Sequence, residues 1–163
     1  MRKMLAALTC IAIIAATPSS GIDVSKTFAR IARTLRLQAK IAVLLPTRLP
    51  EAFRGEKIFP VIQGVGPTEY AVDIALSPDC QGERACSEGH VFASTTGFSF
   101  EDVPPGGTPV RLTRSIVALY HPSMVGAHAS DAYLAWKQNG AYYAIALNTG
   151  SLADIVLTAR SMR

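Results

Sequence analysis

Two hydrophobic periods divide this chain, and the change falls at Pro46 and Pro50. Between Asp23 and Ala42 the step is three or four residues. Phe28, Ile31, Leu35 and Ala39 repeat on one side, and Lys26, Arg30, Arg33, Arg36 and Lys40 on the other. At 100° per residue the two sets centre about half a turn apart, which is the pattern of an amphipathic helix. Asp23 or Ser25 is placed to cap its start. The prolines forbid continuation past Leu45, and Ala42 to Leu45 reads as a short strand or a buried extended connector.

Beyond Pro50 the step becomes two. Lys57 to Ile62 reads as an edge strand whose pairing Pro60 limits, and Gly64-Val65-Gly66-Pro67 as a turn. Tyr70, Val72, Ile74 and Leu76 alternate with Ala71, Asp73, Ala75 and Ser77, a half-buried strand. His90 to Thr96 returns from it. Gly97 to Thr108 holds Pro104-Pro105-Gly106-Gly107 and reads as an exposed loop. Val110 to Tyr120 is one long strand, or two short ones broken near Arg114-Ser115, and His121 to Ser130 connects onward. Ala132 to Gln138 and Ala141 to Leu147 flank Asn139-Gly140, the pair that accepts the positive φ angles of a type I′ hairpin turn. Ser151-Leu152-Ala153-Asp154 resembles a capping box with Asp in place of Glu. Leu152, Ile155, Val156 and Ala159 then make a helical stripe running to Met162.

The order is helix, six or seven strands, helix. Strands linked in sequence by hairpins pair antiparallel. The expected fold class is therefore α+β, a mostly antiparallel sheet with an N-terminal amphipathic helix and a C-terminal helix packed on it. No repeat and no low-complexity tract interrupts it.

Composition changes this picture at the start of the chain. Arg2 and Lys3 precede an uncharged apolar run from Met4 to Ala16, followed by Thr17-Pro18-Ser19-Ser20-Gly21. That is the layout of a secretory signal peptide, and the run is well short of the roughly 20 residues a spanning helix needs. Cleavage is expected between Ala16 and Gly21. Ala7-Leu8-Thr9-Cys10 lacks the leucine that a lipoprotein site carries three positions before its cysteine. Three segments follow: residues 1–20 as signal peptide, 21–45 as basic helix and connector, and 46–163 as one α+β domain. The expected location is outside the cytoplasm, periplasmic or secreted, with no transmembrane helix after cleavage. A content of 49% hydrophobic residues excludes general disorder.

An exported chain that loses Cys10 keeps an even pair, Cys80 and Cys86, which predicts a disulfide. The rival, a pair of metal thiolates, lacks two further ligands at zinc-knuckle spacing. Gly82 and Gly89 allow tight turns around the ring, and the bridge would fix the register of a hairpin.

Charge is unevenly placed. Residues 23–57 hold eight basic and three acidic side chains, whereas 58–163 hold six basic and nine acidic. The cationic helix face (Lys26, Arg30, Arg33, Arg36, Lys40) is thus the candidate contact for an anionic surface, with Phe28, Ile31 and Leu35 available to insert at an interface. The competing reading packs those apolar groups on the sheet and leaves the cations solvated. Nucleic acid is not expected, because no aromatics interleave the basic strip.

Catalytic signatures are absent from the sequence. No G-x-S-x-G elbow occurs, and Gly97-Phe98-Ser99-Phe100-Glu101 is only its superficial likeness. Gln63-Gly64-Val65-Gly66-Pro67 has no following helix and is no dinucleotide fingerprint. Glu69, Asp73, Glu101 and Asp102 offer carboxylates, but the spacing brings no two together. His121, His128 and Asp131 are candidate metal donors whose loop spacing matches no signature. No cofactor is expected.

The last third resembles small exported bacterial α+β domains of unknown function. Trp136, Asn139-Gly140, Tyr142 and Ala146 carry the likeness, followed by a helix ending Ala159-Arg160-Ser161-Met162. The resemblance implies a Trp-bearing strand, a glycine turn, a Tyr-bearing strand and a closing helix, and it brings no catalytic residues. The expected function is a non-enzymatic binding or structural module of the cell envelope, its partner an anionic envelope surface or another envelope protein. The alternative is a small secreted hydrolase or hydrolase inhibitor acting through an exposed loop.

Overall fold

The computed structural model describes residues 20–97, 107–123, 131–148 and 150–163. The expected signal segment, most of the Pro-Gly loop and His128 lie outside the described residues.

Seven antiparallel strands form the main sheet: β3 (Phe59–Gly66), β4 (Glu69–Ala75), β5 (Ser87–Ser94), β6 (Thr108–Arg111), β7 (Val117–His121), β8 (Ala132–Gln138) and β9 (Ala141–Leu147). Their order is β3-β4-β5-β9-β8-β7-β6. Two meanders, β3 to β5 and β6 to β9, are therefore joined where β9 pairs with β5. The 110–120 stretch resolves as two strands. At the β8–β9 turn Asn139 and Gly140 have φ of 50° and 82°, the left-handed pair that this hairpin requires.

Register assigns the two faces of the sheet. Val72 lies opposite Val91, Leu134 opposite Ile145, and Trp136 opposite Tyr143. All of these are buried in one core together with Phe28, Ala32 and Leu35 of helix α1 (Ser25–Gln38) and Ile155, Val156 and Ala159 of helix α2 (Leu152–Ser161). Helix α1 packs by β3 and α2 by β8 and β9. The other face carries the intervening positions, among them Asp73 opposite His90 and His121 opposite Tyr133.

Ser151 caps α2 as the sequence suggests. Its hydroxyl accepts from the Asp154 amide, and the Asp154 carboxylate accepts from the Ser151 amide at 3.0 Å. The start of α1 differs. Val24 occupies the cap position without a side-chain cap, and Asp23 accepts the Ser25 amide at 2.8 Å instead. Those bonds from Ser25 hold the Asp23 carboxyl below its usual range.

Helix α1 also stops before the prolines require it, with Ala39 already extended. The connector needs that length. Val43 and Leu45 are buried, and the backbone around them finds partners outside any ladder, as buried amides must. The Tyr70 hydroxyl bonds both the amide and the carbonyl of Leu44 at 2.9 Å. Tyr143 donates to the Ala42 carbonyl at 3.0 Å. Leu45 and Arg163 exchange two backbone bonds of 3.1 Å. Burial raises the Tyr70 phenol far above its ordinary value.

Two features of the fold depart from the pattern. Gly64 to Gly66 is strand rather than turn: it belongs to β3, and Pro67-Thr68 makes the turn to β4. Ladder partners survive there because a β-bulge at Gln63 restores the register. A second, two-stranded sheet pairs β1 (Gly21–Asp23) with β2 (Arg48–Pro50). The Ser161 hydroxyl ties it to α2, accepting from the amides of Thr47 and Arg48 at 3.1 and 3.0 Å. Gly21 suits this place because a Cβ there would collide with the Leu49 carbonyl and the Leu157 side chain.

Cys80 and Cys86 are disulfide-bonded between β4 and β5. The bridge closes a ring with a sequence separation of 6. Replacing both cysteines by serine is expected to lower stability by about 2–3 kcal/mol, the loop-closure entropy of so short a ring. Urea denaturation of the variant beside the parent checks this value.

Candidate functional site

Two groups of polar side chains stand apart from the packing. The first is the outer face of α1. It carries Lys26, Arg30, Arg33 and Arg36, whereas Lys40, expected on the same face, lies past the helix end with its amide bonded to the Pro67 carbonyl; all five are exposed, and among the described residues none of them forms an ion pair. Phe28 and Leu35 are 1% and 0% exposed, so they belong to the core and are not free to enter a membrane. The helix is a lid on the sheet, as the competing reading had it. Yet Leu37, outside the predicted apolar stripe, is 78% exposed. A groove of about 260 Å³ runs between α1 and residues 45–47, lined in part by Arg33, Arg36 and Arg163.

The second group lies on the sheet face opposite the helices. Asp73, in the middle of β4, is 2% exposed. A buried carboxylate needs donors, and among the described residues it has two. His90 Nδ1 lies 2.5 Å from Oδ1, and the Gln63 amide donates to Oδ2 at 2.7 Å. Gln63 reaches it from the same face of the sheet: Val61 lies opposite Asp73, and Gln63, two residues on, sits at the bulge without a ladder partner. The same amide bonds the Cys80 carbonyl at 3.2 Å. The disulfide loop folds over this spot. Gly82, at φ 89°, sits where an added Cβ would already be 3.4 Å from Asp73 Oδ2.

From the same loop Arg84 donates to Asp131 Oδ1 at 3.1 Å. The other Asp131 oxygen faces His90 Nε2 at 3.9 Å. A chain of polar groups thus runs Gln63, Asp73, His90, Asp131, Arg84. The sequence offered Asp73 only as an unpaired carboxylate and gave His90 no role. An acid at an outward strand position is ordinary, and its pairing across β4 and β5 depends on register.

The other candidates separate. His121 is stacked on Tyr133, with ring centroids 4.5 Å apart and planes 9° from parallel. Burial lowers the His121 pKa and pushes that of Tyr133 up to about 12. Asp131 is turned to His90 and Arg84. Cys80, Glu83 and Cys86 have donor atoms within 4.8 Å of one another, but both sulfurs are spent on the disulfide. No helix among the described residues is long and apolar enough to cross a membrane.

No protein-family model, characterised protein or solved structure matches this chain.

Proposed function

We propose that this chain is an exported, non-enzymatic module of the cell envelope that docks on an anionic lipid surface through the outer face of α1. Export is supported by the basic and apolar start of the sequence and by the disulfide, which persists in oxidising compartments. The observation that carries the docking is Leu37. It follows Arg33 by four residues, Arg30 by seven and Lys26 by eleven, so at 100° per residue it lies within about 40° of each. A solitary exposed leucine is ordinary. One set in the middle of a cationic stripe has the composition of a helix lying at a lipid interface.

The buried state of Phe28 and Leu35 limits the contact to charge and one apolar side chain. Each cation contributes up to about 1 kcal/mol near an acidic membrane, and salt screens it. Binding is then salt-sensitive and reversible. In co-sedimentation, the protein is expected to bind vesicles rich in phosphatidylglycerol at low salt and to leave them at high salt. Arg30→Glu/Arg33→Glu should abolish binding, and Leu37→Asn should weaken it several-fold. Equal binding to neutral phosphatidylcholine vesicles, or an unaffected double variant, would overturn the reading. Binding to soluble polyphosphate without binding to vesicles would also overturn it.

The hydrolase alternative finds less support. His90 is held by a carboxylate as a catalytic base would be, but its free nitrogen faces Asp131 rather than a serine or threonine hydroxyl.

A further inference from the structure

We infer that His90 and Asp131 form a site for a divalent transition-metal ion, zinc or copper in class, with Asp73 and Arg84 as its positioning residues. The hydrogen bonds of Asp73 and Asp131 fix the chemistry of each donor. Asp73 has both oxygens engaged, one by Gln63 and one by His90 Nδ1. In the neutral ring the proton is therefore assigned to Nδ1, which donates to Asp73, and Nε2 keeps its lone pair. Asp131 likewise has Oδ1 engaged by Arg84, so that Oδ2 is the oxygen presented to His90.

Two acceptors then face each other at 3.9 Å. They cannot hydrogen-bond directly, and the separation is long for any such bond. A metal ion held at about 2.0–2.2 Å from each would satisfy both, after a shift of a few tenths of an ångström toward tetrahedral angles. A neutral imidazole nitrogen beside a carboxylate oxygen favours zinc, copper or nickel over calcium and magnesium, which prefer oxygen alone. A carboxylate behind the outer ring nitrogen is the recurrent support of a metal-binding histidine.

Placement favours exchange with solvent. The His90 and Asp131 side chains are 24% and 15% exposed, whereas Asp73 is 3% exposed. The supporting carboxylate is thus buried, and the two ligands sit nearer water, which completes the coordination shell. Arg84 does not close the site, since it occupies the far oxygen of Asp131 and its own side chain is 65% exposed. The site lies on the face opposite α1, so it is independent of the lipid contact.

Titration of the disulfide-intact protein with zinc chloride, followed by calorimetry, tests this. One saturable equivalent is expected. Asp131→Asn should weaken it at least tenfold, and Asp73→Asn by about 10–100-fold, as loss of supporting partners does. His121→Gln should leave it unchanged. The histidine ¹⁵N spectrum should show zinc moving Nε2 of His90 and leaving its Nδ1 protonated. Absence of saturable binding would overturn the inference. So would parent-like affinity in a folded Asp131→Asn variant, or zinc shifting His121 alone. His90→Gln should bind no zinc; if it fails to fold, Asp131→Asn and the ¹⁵N shift decide the matter, because Asp131 lies outside the strands, just before β8.

Discussion

Tyr143→Ala is expected to destabilise the protein by about 3–5 kcal/mol, the range for deleting a large aromatic from a close-packed core. Tyr143 is 1% exposed and is among the largest fully buried side chains. Its ring stacks on Trp136 at a centroid distance of 5.8 Å, and its hydroxyl holds the Ala42 carbonyl of the connector. The variant thus loses core contacts and also the bond to the Ala42 carbonyl. Tyr143→Phe separates the two effects. It keeps the ring and loses only the hydrogen bond, so it should cost about 1 kcal/mol. Urea denaturation with an unchanged m-value measures both. If Tyr143→Ala cost no more than Tyr143→Phe, the ring would not be packed as described. If Tyr143→Phe were neutral, the Ala42 carbonyl would not depend on Tyr143 for its partner.

That tyrosine also marks where the sequence stopped being informative. Period-two alternation around Asn139-Gly140 named β8, β9 and their turn, and the hydrophobic stripe with its Ser151–Asp154 box named α2. These signals are local: each residue's partner lies within a few positions. The Cys80–Cys86 bridge was legible for the same reason, together with the even count left in an exported chain. The Tyr143 bond to Ala42 spans 101 positions, and no local period records it. The pairing of β9 with β5 is equally remote, as is the small β1–β2 sheet. Gln63 shows a subtler failure. The glycines after it suggested a turn, but an extra residue in β3 lets the strand continue, with Gln63 on the Asp73 face of the sheet. The site followed suit. The cations of α1 were legible because helical spacing displays them. His90, Asp73 and Asp131 were not, since they meet only after β4, β5 and β8 have taken their places.

His90→Leu should cost about 3 kcal/mol, because removing the imidazole donor leaves the buried Asp73 carboxylate one hydrogen bond short. Among the described residues, Asp73 would retain the Gln63 amide as its one donor. The measurement belongs in the presence of a chelator, so that a bound ion adds nothing to the stability of the parent. Asp73→Leu/His90→Leu removes both polar groups together and should regain most of the loss, since replacing both partners of a buried hydrogen bond by apolar groups is often nearly neutral. The double-mutant cycle then yields a coupling energy of about 2 kcal/mol or more, within the range known for contacting residues. A cost below about 0.5 kcal/mol for His90→Leu, the scale of a surface change, would mean that water reaches Asp73. Recovery in the double variant would carry a further consequence. The fold would then have no need of the Asp73–His90 pair, and the reason for placing a histidine between two carboxylates would lie in what His90 binds.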